Sequence, residues 1–105
     1  MAFVILESVE NLHDGYSRCF KLDGRQLLLV QSSGHTRLLP IQCPHERSSL
    51  KKAKLTDGEI RCPKHGISFD LESGQAIGGE VVADVAPLQP VGYSIQNGDL
   101  GVYLD

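Results

Sequence analysis

Two short segments offer the same pair of donor types. One is Cys43-Pro44-His45; after sixteen intervening residues comes the other, Cys62-Pro63-Lys64-His65. A thiolate and an imidazole in each segment make Cys43, His45, Cys62 and His65 a candidate four-ligand metal site, since sulfur and imidazole nitrogen suit borderline and soft ions. Such a site constrains the fold, because both segments must reach one centre. Pro44 and Pro63 each follow a cysteine and hold φ without requiring an N–H. Gly66 follows His65 and lets the backbone come close to a bound group.

The rest of the chain has the punctuation of a β protein. Asp23-Gly24, Asp57-Gly58 and Asn97-Gly98 suit two-residue hairpin turns, whose central residues both take positive φ. Ala2 to Leu6 is apolar and partly β-branched, an opening strand, and Asn11 to Gly15 breaks it. From Tyr16 the chain alternates, with Tyr16, Arg18, Phe20 and Leu22 on one side and Ser17, Cys19 and Lys21 on the other. Strands are predicted over Gln26–Gln31 and Arg37–Gln42, with a turn at Ser32 to His35. Glu46 to Leu55 is charged and rich in small residues; a short helical turn is its most regular option. Beyond it come Glu59–Arg61, Ile67–Leu71 turned by Ser73-Gly74, and Gln75–Val85 with a break at Gly78-Gly79. Val91–Gln96 and Leu100–Leu104 form a last hairpin. Short strands at regular spacing without a long 3.6-residue period predict an all-β sandwich or small barrel. Residues 42–71 form a small insert between two sets of strands.

Length and composition narrow the function. At 105 residues the chain is predicted to be one domain, 1–105, able to bury roughly 60–70% of its unfolded surface. A tightly held cofactor would then add noticeably to stability. There is no Trp, so Leu, Ile and Val must build the core. A net charge of −3 and a pI near 5.7 give no reason to expect nucleic acid. Three cysteines, two of them in the ligand pattern, argue against a disulfide scaffold and for a reducing compartment. Met1 to Glu7 lacks the basic leader of a signal peptide, and no segment is long and apolar enough to span a bilayer. The expectation is a cytoplasmic, monomeric protein without a membrane partner. Cys19 is expected to be a structural thiol on a strand, and His13 and His35 surface residues in turns.

The paired ligand motif, with Gly66 to Asp70 and Ser73-Gly74 after it and Pro87-Leu88-Gln89-Pro90 further on, resembles the Rieske iron–sulfur family across nearly the whole chain. The resemblance implies a Rieske-like antiparallel β-sandwich with a small inserted cluster-binding subdomain (42–71). It implies one [2Fe–2S] cluster per chain, with Cys43 and Cys62 on one iron and His45 and His65 on the other. Pro87 to Pro90 matches a loop that covers the cluster. Two thiolates leave an oxidised cluster neutral where four leave it dianionic, so an electron enters the mixed site more readily. That is a physical reason for Rieske potentials of about −150 to +300 mV against about −400 mV for plant-type ferredoxins. The departures matter too. The extra loop cysteines of high-potential members are matched by Ser48 and Lys64, and their hydroxyl donors by Ile67 and Phe69, which cannot donate. A potential near the low end of the class is expected.

The function implied is that of a soluble electron carrier, not itself an enzyme, between a reductase and a terminal oxygenase or similar enzyme. Two other readings are open: a small subunit of a larger reductase, similar to that of assimilatory nitrite reductase, and a structural Cys2His2 zinc module. The chain has neither the length nor the spare histidines for the mononuclear iron domain of a Rieske oxygenase. From Cys43 to His65 six basic residues (Arg47, Lys51, Lys52, Lys54, Arg61, Lys64) face three acidic ones, a net +3 that leaves −6 elsewhere. This stretch is either a solvated lysine loop or a surface that steers toward an acidic partner.

Overall fold

The computed structural model describes residues 2–42, 49–63, 66–78 and 86–104. Four two-residue hairpins among them set the local geometry. They join β2 (Tyr16–Leu22) to β3 (Arg25–Ser32), β3 to β4 (His35–Pro40), β5 (Lys54–Thr56) to β6 (Glu59–Arg61), and β9 (Ser94–Gln96) to β10 (Asp99–Leu104). Asp23, Ser33, Asp57 and Asn97 have φ of 50–52°, and the glycine after each has φ of 78–81°. Two successive positive-φ residues give the turn whose twist matches the flanking strands.

The described strands form three antiparallel sheets in the orders β1-β10-β9, β2-β3-β4 and β5-β6-β7-β8, with β1 over Ala2–Ser8, β7 over Ser68–Asp70 and β8 over Ala76–Gly78. The middle sheet is the partition. Leu27 and Leu29 of β3 and Leu38 of β4 join Tyr16, Leu100 and Val102 in one core, with Val4, Leu6, Phe20 and Leu22 packed against it. Leu28, Val30 and Leu39 point the other way, into a core with Leu50, Ile60, Cys62, Ile67, Phe69, Leu71 and Leu88. A strand buried on both faces is a continuous apolar run, and Leu27 to Val30 is one. The first core makes the sandwich, and the second attaches the inserted sheet and leads to the ligand loops. The alternation expected of β2 holds, with Phe20 and Leu22 in the first core and half-buried Cys19 against the second.

A bulge in β1 adds one buried polar junction. Register against β10 shifts between Ile5 and Glu7, so Glu7 turns inward opposite Leu100. Its carboxylate accepts from Tyr16 Oη at 2.6 Å, Asn11 Nδ2 at 2.9 Å, its neighbour Ser8 N at 2.9 Å and Arg18 Nη1 at 3.3 Å. These hydrogen bonds, that of Asn11 foremost, hold the Glu7 carboxyl at about 2. Burial, then the Glu7 bond, pushes the Tyr16 hydroxyl up to about 12.

Several local expectations need correction. Lys54–Thr56 is a strand, although its stretch is charged; it pairs with Glu59–Arg61 through a turn strong enough to carry it. The helical option between Glu46 and Leu55 reduces, among the described residues, to one turn with Ala53 N–H donating to the Leu50 carbonyl at 3.0 Å. The strand predicted over Val91–Gln96 survives only as Ser94–Gln96; Val91 N–H donates instead to the Leu38 carbonyl at 2.7 Å. Strand β4 stops at Pro40, Gln42 keeping a single bridge to Ser49. His35 opens β4 half-buried rather than lying free in a turn. The part of the Gln75–Val85 prediction beyond Gly78 lies outside the described residues.

Candidate metal centre

The described residues that flank each candidate ligand segment are tied to one another by backbone hydrogen bonds. At the first, Gln42 bridges Ser49, Leu50 N–H donates to the Ile41 carbonyl at 2.6 Å, and Ile41 N–H to that of Gln26 at 3.1 Å. Fully buried Leu50 anchors this flank in the second core. At the other, Cys62 N–H donates to the Ile67 carbonyl at 2.8 Å and Gly66 N–H to the Cys62 carbonyl at 3.0 Å. These two bonds hold Gly66 and Ile67 against Cys62 at the end of the β6–β7 pair. Leu50, Cys62 and Ile67, which flank the two candidate segments, are buried in one core.

Of the four candidate ligands, Cys62 is described: its side chain is buried in the core that also holds Ile60, Ile67, Phe69 and Leu88. Cys43, His45 and His65 lie outside the described residues, as do Pro44, Ser48 and Lys64. Gly66 takes φ of +66°, and a Cβ there would fall 2.8 Å from Arg61 Nη2. The turn beside His65 thus requires glycine twice over, for its dihedral and for the guanidinium lying across it.

Leu88, from the proline segment expected to cover the site, is buried in the core that holds Cys62. Its N–H donates to the Gly74 carbonyl at 2.7 Å, and Gly74 N–H donates to that of Asp70, also at 2.7 Å. A Cβ on Gly74, whose φ is +81°, would sit 2.6 Å from the Leu88 carbonyl oxygen. The sequence marks Gly74 as a turn residue, but no local signal announces its contact with a segment fourteen positions on. Ile67 and Phe69 are buried and apolar, 1% and 0% exposed, so neither brings a hydroxyl to the site.

Outside the Cys62 turn lies an open concavity of about 420 Å³ lined by Lys52, Lys54, Arg61, Cys62, Pro63 and Gly66. On its inner side Cys62 is 2% exposed and belongs to an apolar core, an environment suited to a thiolate that is shared with a bound metal group rather than left as a bare buried charge. The donor chemistry of the described half-site therefore fits an iron–sulfur cluster.

A family model for the Rieske [2Fe-2S] domain matches residues 2–89. Human apoptosis-inducing factor 3 is 36% identical over 66 residues, which cover 63% of this chain and 11% of that protein. The ferredoxin component of the alkene monooxygenase system of Xanthobacter autotrophicus is 34% identical over 76 residues, 71% of this chain and 62% of its own length. The chain thus spans about a tenth of the first relative and about six tenths of the second. The ferredoxin of carbazole 1,9a-dioxygenase from Nocardioides aromaticivorans IC177 shares the fold, with a TM-score of 0.76 over 97% of both chains at 20% identity. Sheet order, the flanks of the two candidate segments and the family match converge: this chain belongs to the Rieske [2Fe-2S] domain family.

Proposed function

We propose that the chain is a one-electron carrier that holds its [2Fe–2S] cluster through Cys43, His45, Cys62 and His65 and passes electrons from a reductase to a terminal oxygenase. The observation that carries this reading is the Cys62 turn: a buried thiol at a strand end, closed by two backbone hydrogen bonds, three positions before a histidine. When bound, the cluster supplies reversible one-electron chemistry at a potential set by its mixed ligands. The protein's part is to hold it in place. Cys62 supplies a thiolate, the Gly66 turn keeps the backbone close, and Leu88 excludes water from the apolar side. The oxygenase partner is suggested by the relatives whose names tie them to an alkene monooxygenase and a carbazole dioxygenase. Contacts with such partners are expected to be small and transient.

A second reading keeps the chemistry and changes the setting. Similarity to a segment amounting to 11% of a much longer protein fits a domain that works inside a larger assembly, and a small subunit of a larger reductase is the form of it we infer. Stable co-purification with a large subunit would favour that arrangement.

The test is direct. Purified protein should contain two irons and two sulfides per chain, the stoichiometry of the cluster type, and give a rhombic paramagnetic signal on reduction. Cys62→Ser and His65→Ala should each lose most of the iron and the signal while keeping β circular dichroism. A colourless wild-type protein holding only zinc would overturn the reading.

A further inference from the structure

The outer face of the inserted sheet is polarised. Lys54 stands directly opposite Arg61, and Arg61 opposite Ser68. Two residues along, Thr56 stands opposite Glu59, and Glu59 opposite Asp70. Because alternate residues share a face, the basic row lies beside the Cys62 turn and the acidic row away from it. Like charges at opposed positions destabilise a sheet, and among the described residues the ion pair present is Arg18 with Glu7, elsewhere in the molecule. Lysine on an edge strand can serve to block sheet extension. That role accounts for Lys54 on edge strand β5 but not for Arg61, which lies on the second strand with its guanidinium over Gly66. Lys52 adds a third exposed cation to the same concavity, which has no acidic side chain among its described lining.

We propose that the concavity formed by Lys52, Lys54 and Arg61 beside the Cys62 turn is a docking site for a carboxylate-bearing loop of a protein partner. The proposal rests on the electron-carrier reading and adds the chemistry of the partner to it. A chain of net charge −3 would otherwise be repelled by an acidic protein. Local cations at the cluster end reverse that, and the acidic row and body turn the rest of the surface away, so approach is oriented as well as allowed.

The probe is a fluorescein-labelled hexaglutamate peptide, titrated with cluster-loaded protein at low ionic strength and followed by fluorescence anisotropy. Wild type should bind, and binding should weaken as salt is raised. Lys52→Gln/Lys54→Gln/Arg61→Gln should weaken it by about tenfold or more, the scale of steering by a focused local charge, with melting temperature held or raised. Arg61→Lys, which keeps the charge, should stay close to wild type. Lys21→Gln/Arg25→Gln, cations outside this concavity, should change it less than threefold, roughly the effect of bulk charge at this distance. Equal binding by wild type and the triple variant would overturn the proposal, as would an equal loss in the Lys21/Arg25 variant. Iron content and the reduced-state signal of the same samples report on the carrier reading separately, so the two can fail independently.

Discussion

Ile67 and Phe69 decide a property that no ligand count can. Both are buried with apolar side chains, so these two positions offer no hydroxyl donor to a cluster. A hydrogen bond to a cluster sulfur stabilises the more negative, reduced form, and its loss lowers the potential. The expected midpoint lies in the lower part of the range of about −150 to +300 mV for Rieske centres; protein-film voltammetry giving a clearly positive value would contradict this. Gly74 makes a second prediction at the same scale. Alanine there must hold φ of +81° and meet the Leu88 carbonyl, so Gly74→Ala should cost about 1–3 kcal/mol, read by urea denaturation. It should also loosen Leu88 over Cys62, seen as faster loss of the visible chromophore to chelator.

The clasp between β1 and β2 belongs to the scale of elements. Glu7 is aimed inward by the bulge and accepts four hydrogen bonds, which is why its carboxyl is held at about 2 against an ordinary value near 4.5. A depressed carboxyl contributes stability that is fully present above its unfolded pKa. That contribution fades as pH falls from about 4.5 toward 2. Urea midpoints of the wild type should therefore decline across this window. Glu7→Gln, which has no charge to lose there, should start lower at pH 7 and decline less; parallel curves would show that the clasp is electrostatically idle. The β1–β10 pair is close-packed beside the same bulge, since a Cβ on Gly101 would collide with the Val4 carbonyl oxygen and come within 2.8 Å of the Phe3 ring. The hairpins are legible in the residues themselves, because Asp-Gly and Asn-Gly encode two positive-φ positions locally. Strand β5 is not, because its three residues are too short a run to read as a strand and only Thr56 is a β former. Its pairing comes from the Asp57-Gly58 turn and from Leu55 packing against the second core.

Among the described residues two cores share one sheet, and the second, not the first, holds Cys62. Removing the cluster should therefore act unevenly. Amide hydrogen exchange of the apoprotein should speed up most in β5 to β8, while β1, β10 and the β2–β3 pair keep most of their protection. Uniform loss would show instead that the two cores unfold as one. Among the described residues no helix is long and apolar enough to cross a membrane. Chemistry that depends on residue type and short spacing was set by the sequence alone: four candidate donors in two short segments, glycine at position 66 where the turn after Cys62 needs positive φ, and the hairpins that fold each strand back on the last. What tertiary structure decided is which distant groups meet: Leu88 on Gly74, Glu7 on Tyr16, Leu28 and Leu29 in opposite cores, and Lys54, Arg61 and Lys52 around one hollow. Local conformational preference acts over a few residues, whereas these meetings follow from how three sheets bury both faces of the middle one, which no short window of sequence contains.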